Sequence, residues 1–101
     1  MCERYNNLSV LKIKEIHSSL QIKGFEVQSD RKHIFYHLWV NGKRTTIRTH
    51  ISHGQEEVDD SLISFMKKQT KLSKSKFIDL IKCPLSKEAY INILLEQGDI
   101  F

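Results

Sequence analysis

The sequence predicts an α+β fold in which a three-stranded antiparallel sheet carries helices on one face. Three observations lead there. Residues 33–40 and 45–51 are rich in aromatic and β-branched side chains and flank Asn41-Gly42, a strong hairpin signal because both central turn positions need positive φ. Apolar residues at helical spacing precede the strands and stop at a glycine. Three more segments of helical period follow, giving the order α-β-β-β-α with two further helices behind it.

Residues 8–22 read as a helix, with Val10, Ile13, Ile16, His17 and Leu20 recurring on one side and Ser9 as its N-cap. Gly24 is a natural C′ residue, since it takes the left-handed conformation without a Cβ penalty. Residues 25–28 alternate as a short strand, and Ser29-Asp30-Arg31 forms a turn. In residues 33–40, Ile34, Tyr36, Leu38 and Val40 form one face and should meet the helices, while His33, Phe35, His37 and Trp39 form the other. The return strand, 45–51, alternates between Thr45, Ile47, Thr49, Ile51 and Thr46, Arg48, His50, and Ser52-His53-Gly54-Gln55 ends it. Asp59 or Asp60 caps a helix over 61–70 with Leu62, Phe65, Met66 and Gln69 as its core stripe. Ser73 caps a helix over 74–82, built on Phe77, Ile78 and Ile81 and stopped by Pro84. Ser86 with Glu88 opens a last helix over 87–97, which turns Tyr90, Ile93 and Leu94 inward.

A chain of 101 residues is one small domain, and 40% hydrophobic with 28% charged residues is a globular composition rather than a disordered one. Four Gly and one Pro exclude collagen-like and low-complexity chains. No apolar run approaches the ~18 residues of a membrane span. Residues 1–10 lack the apolar core of a secretory signal, and the two cysteines read as reduced thiols, so a cytoplasmic location is expected. Cys2 is expected in a mobile tail and Cys83 in buried packing. The charge is divided: residues 1–54 carry nine Lys/Arg and four Asp/Glu (+5), residues 55–101 seven and eight (−1), which sum to +4. The basic excess falls on the half that holds the strands, which points to a phosphate-bearing partner.

A strand face of two imidazoles and two aromatic rings suits stacking on single-stranded bases, with Lys32, Lys43, Arg44 and Arg48 to meet phosphates. The alternative is that the C-terminal helices or a second copy of the chain cover Phe35 and Trp39. His33 and His37 share a face, with His50 and His53 nearby, yet their spacing is no recognised zinc signature, and neither metal nor cofactor is expected. His17 reads as a boundary residue of the first helix. Lys67, Lys68, Lys71, Lys74 and Lys76 read as solvated helix faces or as the extension of a phosphate track.

Gly24-Phe25 after the first helix, His33-Ile34-Phe35-Tyr36 opening the second strand, Gly42-Lys43 in the hairpin, and Thr-x-Ile-x-Thr-x-Ile-Ser-His-Gly from Thr45 to Gly54 resemble the HicA family. This family, also described as YcfA-like, comprises small toxins of type II toxin–antitoxin pairs. The resemblance covers roughly residues 10–72. It implies a double-stranded-RNA-binding-domain-like core over 8–72, with 73–101 as a C-terminal helical extension of the same single domain. It further implies ribonuclease activity on mRNA, one catalytic His at the start of the second strand, and inhibition by a HicB-like antitoxin. The family's Gly-Ser-His reads here as Arg31-Lys32-His33, which puts the catalytic position on His33.

RNA supplies its own nucleophile, the 2′-hydroxyl, so a cleaving protein needs a base, an acid and positive charge, and no metal. On this reading His33 is the general base, Lys32 and Arg48 stabilise the phosphorane, and His50 or His37 is the second proton carrier. The RNA contacts fall to Lys32, Phe35, His37, Trp39, Lys43, Arg44, Arg48 and His50. Two other readings stand beside this one: a non-catalytic RNA-binding module on the same face, and a protein-interaction domain for an antitoxin-like partner or a second copy, as in a homo-oligomer.

Overall fold

A helix starts where its first free N–H groups find an acceptor. Lys12 is extended, and the Glu15 carboxylate accepts its N–H at 3.1 Å, opening α1 (Ile13–Ile22). The expected start at residue 8 does not hold, because Leu11 is non-helical and sinks into the core ahead of the first turn. Ser9 and Val10, with Cys2 and Cys83, lie outside the residues that the computed structural model describes, which are 11–55, 58–82 and 84–100. Gly24 ends the helix with φ 100°, and the Lys87 side chain lies so close that a Cβ there would stand 2.8 Å from Lys87 Cε. A side chain at this position would meet backbone strain and would push the flexible end of Lys87 aside.

β1 (Phe25–Ser29), β2 (His33–Val40) and β3 (Lys43–Ser52) form one antiparallel sheet in the order β1-β2-β3. Asn41 and Gly42 both carry positive φ, 53° and 77°, as the two-residue hairpin requires. Pairing runs right up to that turn, Val40 opposite Lys43, so β3 is longer than the expected 45–51. The register then shifts. His37 pairs with Arg48 but Trp39 with Arg44, so Leu38 alone stands against residues 45–47. The Thr45 hydroxyl repairs the break by donating to the Leu38 carbonyl at 2.9 Å and accepting the Ile47 N–H at 3.1 Å.

Three helices follow: α2 (Asp60–Gln69), α3 (Lys74–Lys82) and α4 (Lys87–Gln97). Their caps are those the sequence predicts. Asp59 accepts the Leu62 N–H at 2.8 Å, Ser73 Oγ the Lys76 N–H at 3.2 Å and Ser86 Oγ the Ala89 N–H at 3.1 Å. α1 packs on β1 and α3, and α2 packs on β3 and α3. The core beneath them joins Phe25, Tyr36, Leu38, Ile47 and Ile51 of the sheet to Ile16, Leu20, Ile63, Met66, Phe77, Ile81, Tyr90 and Leu94 of the helices. Tyr90 stacks on Phe25 with centroids 6.0 Å apart, and its hydroxyl donates to the Thr70 carbonyl at 2.8 Å. The described residues of the 73–101 segment therefore fill the same core as the strands. Among the described residues no helix is long and apolar enough to cross a membrane.

The core stripe of α2 differs from the expected Leu62, Phe65, Met66 and Gln69. Ile63, Met66 and Thr70 are buried, Leu62 and Gln69 are half-buried, and Phe65 turns outward at 40% exposure. The helix lies against β3 and α3, so its inner line is rotated from the one its apolar residues alone define.

Polar contacts fasten α1 to α3. Lys23 is buried, and its ammonium donates to the carbonyls of Leu80 at 2.7 Å and Leu85 at 2.5 Å, capping the end of α3. Ser19 Oγ donates to the Ile81 carbonyl at 2.6 Å, and Lys82 pairs with Glu15 at 3.0 Å near the surface. Replacing Lys23 by Met keeps the aliphatic stem but leaves two buried carbonyls without their donor. Urea unfolding of Lys23→Met should show a loss of about 2–3 kcal/mol. Lys82→Met, which breaks the partly exposed pair, should cost less than about 1 kcal/mol.

Candidate nucleic-acid interface

With the helices gathered on one side, the other side of the sheet is left uncovered by them. The strand register directs Glu26 and Gln28, then His33, Phe35, His37 and Trp39, then Arg44, Arg48, His50 and Ser52 towards it. The C-terminal helices do not pack over Phe35 and Trp39, since they bury the opposite face.

At one end of this face the His33 and His50 rings meet edge to face, with centroids 5.1 Å apart. Phe35 lies 5.7 Å from His33 and 5.3 Å from His50. Phe65, the residue that α2 turns outward, closes the group with its centroid 5.0 Å from His50. Partial burial, then the charges of His33 and Arg48, holds the His50 imidazole below its ordinary range.

The turn before β2 fixes His33. The Asp30 carboxylate accepts the N–H of His33 at 2.7 Å and of Lys32 at 2.8 Å. These two donors pull the Asp30 carboxyl below the usual carboxylate range, and the nearby charges of His33 and His53 add to the effect. His53 secures the turn from the far end of β3. Its backbone N–H donates to the Lys32 carbonyl at 2.9 Å, and its Nε2 stands 2.7 Å from the Asp30 carbonyl and 3.0 Å from Ser29 Oγ.

The other end of the face is built differently. Trp39 Nε1 donates to Glu26 Oε1 at 3.2 Å, Arg44 pairs with the same carboxylate at 3.8 Å, and the Arg44 guanidinium lies 6.0 Å from the indole centroid. Between the two ends His37 is only 9% exposed, parallel to Phe35 at 6.4 Å. Burial, then Arg44 and Arg48, lowers its pKa against the opposing pull of Glu26. Its Nδ1 takes no hydrogen bond among the described residues.

Of the residues singled out from the sequence, the fold brings together His33, Phe35, His50 and, on the neighbouring position, Arg48; Lys32 stands exposed in the adjoining turn. His37 sits beneath the face rather than on it. Lys43 pairs with Val40 and so alternates to the other side from Arg44, although both line one open cleft at the hairpin with Thr45, Thr46, Asp99 and Ile100. His17 is half-buried, with Nδ1 2.8 Å from the Tyr36 hydroxyl, as a boundary residue should be. Among the described residues no group of three His, Cys, Asp or Glu side chains is placed to hold a metal ion. Sequence reasoning did not single out Glu26, Asp30 or Phe65. An Asp three residues before His33 is a readable turn signal for Asp30. Phe65 carries no such sign, since its spacing fits a core position. No protein-family model, curated protein or solved structure matches the chain.

Asp30 has a folded pKa below its unfolded one, so its anchoring is present above the ordinary Asp range near 3.9 and is lost only as pH falls through the depressed value. A carboxyl NMR titration should place the Asp30 midpoint below that of a peptide Asp. Asp30→Ala should speed hydrogen exchange at the Lys32 and His33 amides while the core amides of β2 stay protected.

Proposed function

We propose that this protein is a metal-independent endoribonuclease of the HicA type, a toxin that cleaves mRNA on the open face of its sheet. The observation that carries this reading is the His33–His50 pair, two imidazoles 5.1 Å apart beside Arg48 on a face that the described helices leave open except where Phe65 of α2 meets His50. Support also comes from the order α1-β1-β2-β3-α2 with helices on one face, which fits a double-stranded-RNA-binding-domain-like core, and from the HicA-like residues around Gly24, His33, Gly42 and His53.

The chemistry needs a proton removed from the ribose 2′-hydroxyl as its oxygen attacks phosphorus, and a proton given to the 5′-oxygen as the P–O5′ bond breaks. The products are a 2′,3′-cyclic phosphate and a free 5′-hydroxyl. His50, whose pKa is lowered by partial burial and then by His33 and Arg48, fits the base. This moves the base from His33, the choice made on sequence alone, and gives His33 the part of proton donor at the leaving oxygen. Arg48 and Lys32 meet the charge that builds on the non-bridging oxygens. Phe35 and Phe65 offer rings against which an unpaired base stacks. A HicB-like antitoxin fits the same face, where those rings give it an apolar contact beside the cations.

Digestion of a single-stranded RNA in the presence of a chelator tests this. His33→Ala and His50→Ala should each slow cleavage by about a hundredfold or more while leaving RNA affinity little changed. Undiminished cleavage by both variants would remove the site assignment, and binding without cleavage by the unaltered protein would make it a non-catalytic RNA-binding module. The pH profile adds a second check. Protonation of His50 ends its action as a base, so the rate should fall on acidification only below the ordinary imidazole value of about 6.5. Arg48→Gln removes one charge that lowers the His50 pKa, and it should shift this acid limb towards neutrality.

A further inference from the structure

Glu26 is out of place on a surface that attracts phosphate. Among the described strand residues directed to the open face it is the one carboxylate, set opposite His37 and close to Trp39, Arg44 and Arg48. A carboxylate here repels every phosphate equally, so it weakens a purely electrostatic site. It is also not adrift. The indole N–H of Trp39 holds Oε1 at 3.2 Å, which sets the carboxylate at the edge of a flat ring. Oε2 takes no hydrogen bond among the described residues, and the Glu26 side chain is about half exposed, 48%.

A flat ring with an oriented carboxylate at its edge is a reader of bases. A base laid on the indole brings its hydrogen-bonding edge over Glu26. The carboxylate offers acceptors only. Adenine and cytosine each present one donor beside an acceptor on their pairing edge, and uracil presents one donor between two acceptors. Guanine alone presents two adjacent donors, N1–H and N2–H, which match the two oxygens of one carboxylate. Oε1 has a second lone pair for this while it keeps the Trp39 N–H. Arg44, 3.8 Å from Glu26 in the free protein, is then released to the phosphate of the bound nucleotide.

We propose that Trp39 and Glu26 form a guanine-selective subsite at the hairpin end of the sheet, one that reads a guanosine of the same strand away from the bond presented to His33 and His50 at the other end. This rests on the RNA-binding reading above and goes beyond it in naming the base that is read. Trp39 supplies the stacking surface, Glu26 the selection, and Arg44 the backbone contact.

Binding of 2′-O-methyl hexamers of sequence UUUNUU tests it, because the blocked 2′-oxygen permits binding but not cleavage and the unaltered protein can be used. The single tryptophan of the chain reports stacking through its fluorescence. The guanine hexamer should bind about tenfold more tightly than those with A, C or U. Glu26→Gln should bring it level with the others without weakening them. Trp39→Phe keeps a ring but frees the carboxylate; read by the anisotropy of an end-labelled hexamer, since this variant has no tryptophan, it should reduce the guanine preference while retaining binding. Equal binding of all four hexamers, or a preference that survives in Glu26→Gln, overturns the guanine subsite and leaves the RNA reading intact. Binding of none of them overturns both.

Discussion

Tyr36 and Leu38 have no exposure to solvent, and the elements that bury them all stand on one side of the central strand. That one-sidedness shapes the rest of the molecule. Alternation along β2 means that every residue committed to the core commits its neighbour to the opposite face. Because the core joins the helices to Tyr36, Leu38 and Phe25 on one side, the β2 side chains between them are turned away from it. The polar ties under the helices serve the same end. Lys23 and Ser19 satisfy the last carbonyls of α3, where a helix end pressed against α1 would otherwise hold unpaired acceptors.

The uncovered face is neither oily nor fully wet. Phe35 and Phe65 shield the flanks of His50, and His37 lies flat beneath the surface between Phe35 and the arginines. Desolvation and neighbouring cations both lower the pKa of these imidazoles, against the smaller opposing pull of Glu26 on His37. The charge of the face is carried instead by Arg48, Arg44 and Lys32, at positions that ring the aromatic group. A surface arranged in this way presents stacking surface at its centre and cations around it, the division of labour that an unpaired nucleic-acid strand requires.

Features set by neighbours in the chain were legible in the sequence. Asn41-Gly42, the caps Asp59, Ser73 and Ser86, the full extent of β2 and its two faces, and the end of α1 at Gly24 each follow from a few adjacent residues. What was not legible depends on contacts across the fold. The start of α1 shifts because Leu11 is drawn into the core. Phe65 has the spacing of a core residue, and only the seating of α2 against β3 sends it outward to His50. Lys23 reads as an ordinary helix-end lysine until α3 arrives above it. The pairing of Glu26 with Trp39 depends on strand register, as does the separation of Lys43 from Arg44. The proximity of His33 and His50, 17 positions apart in the chain, needed the register of β2 against β3; alternation alone put them on one side without making them neighbours.

The irregularity at Leu38 sets a rule of parity for this hairpin. Three residues of β3 face one of β2, a surplus of two, and an even surplus leaves side-chain orientation unchanged on either side of the break. Arg44 and Arg48 therefore look the same way although their partners are out of step. Lineages that lengthen or shorten this arm by two residues would keep the cations and the indole together, whereas a change of one would turn the arm inside out, sending Arg44 to the helices and Ile47 to water.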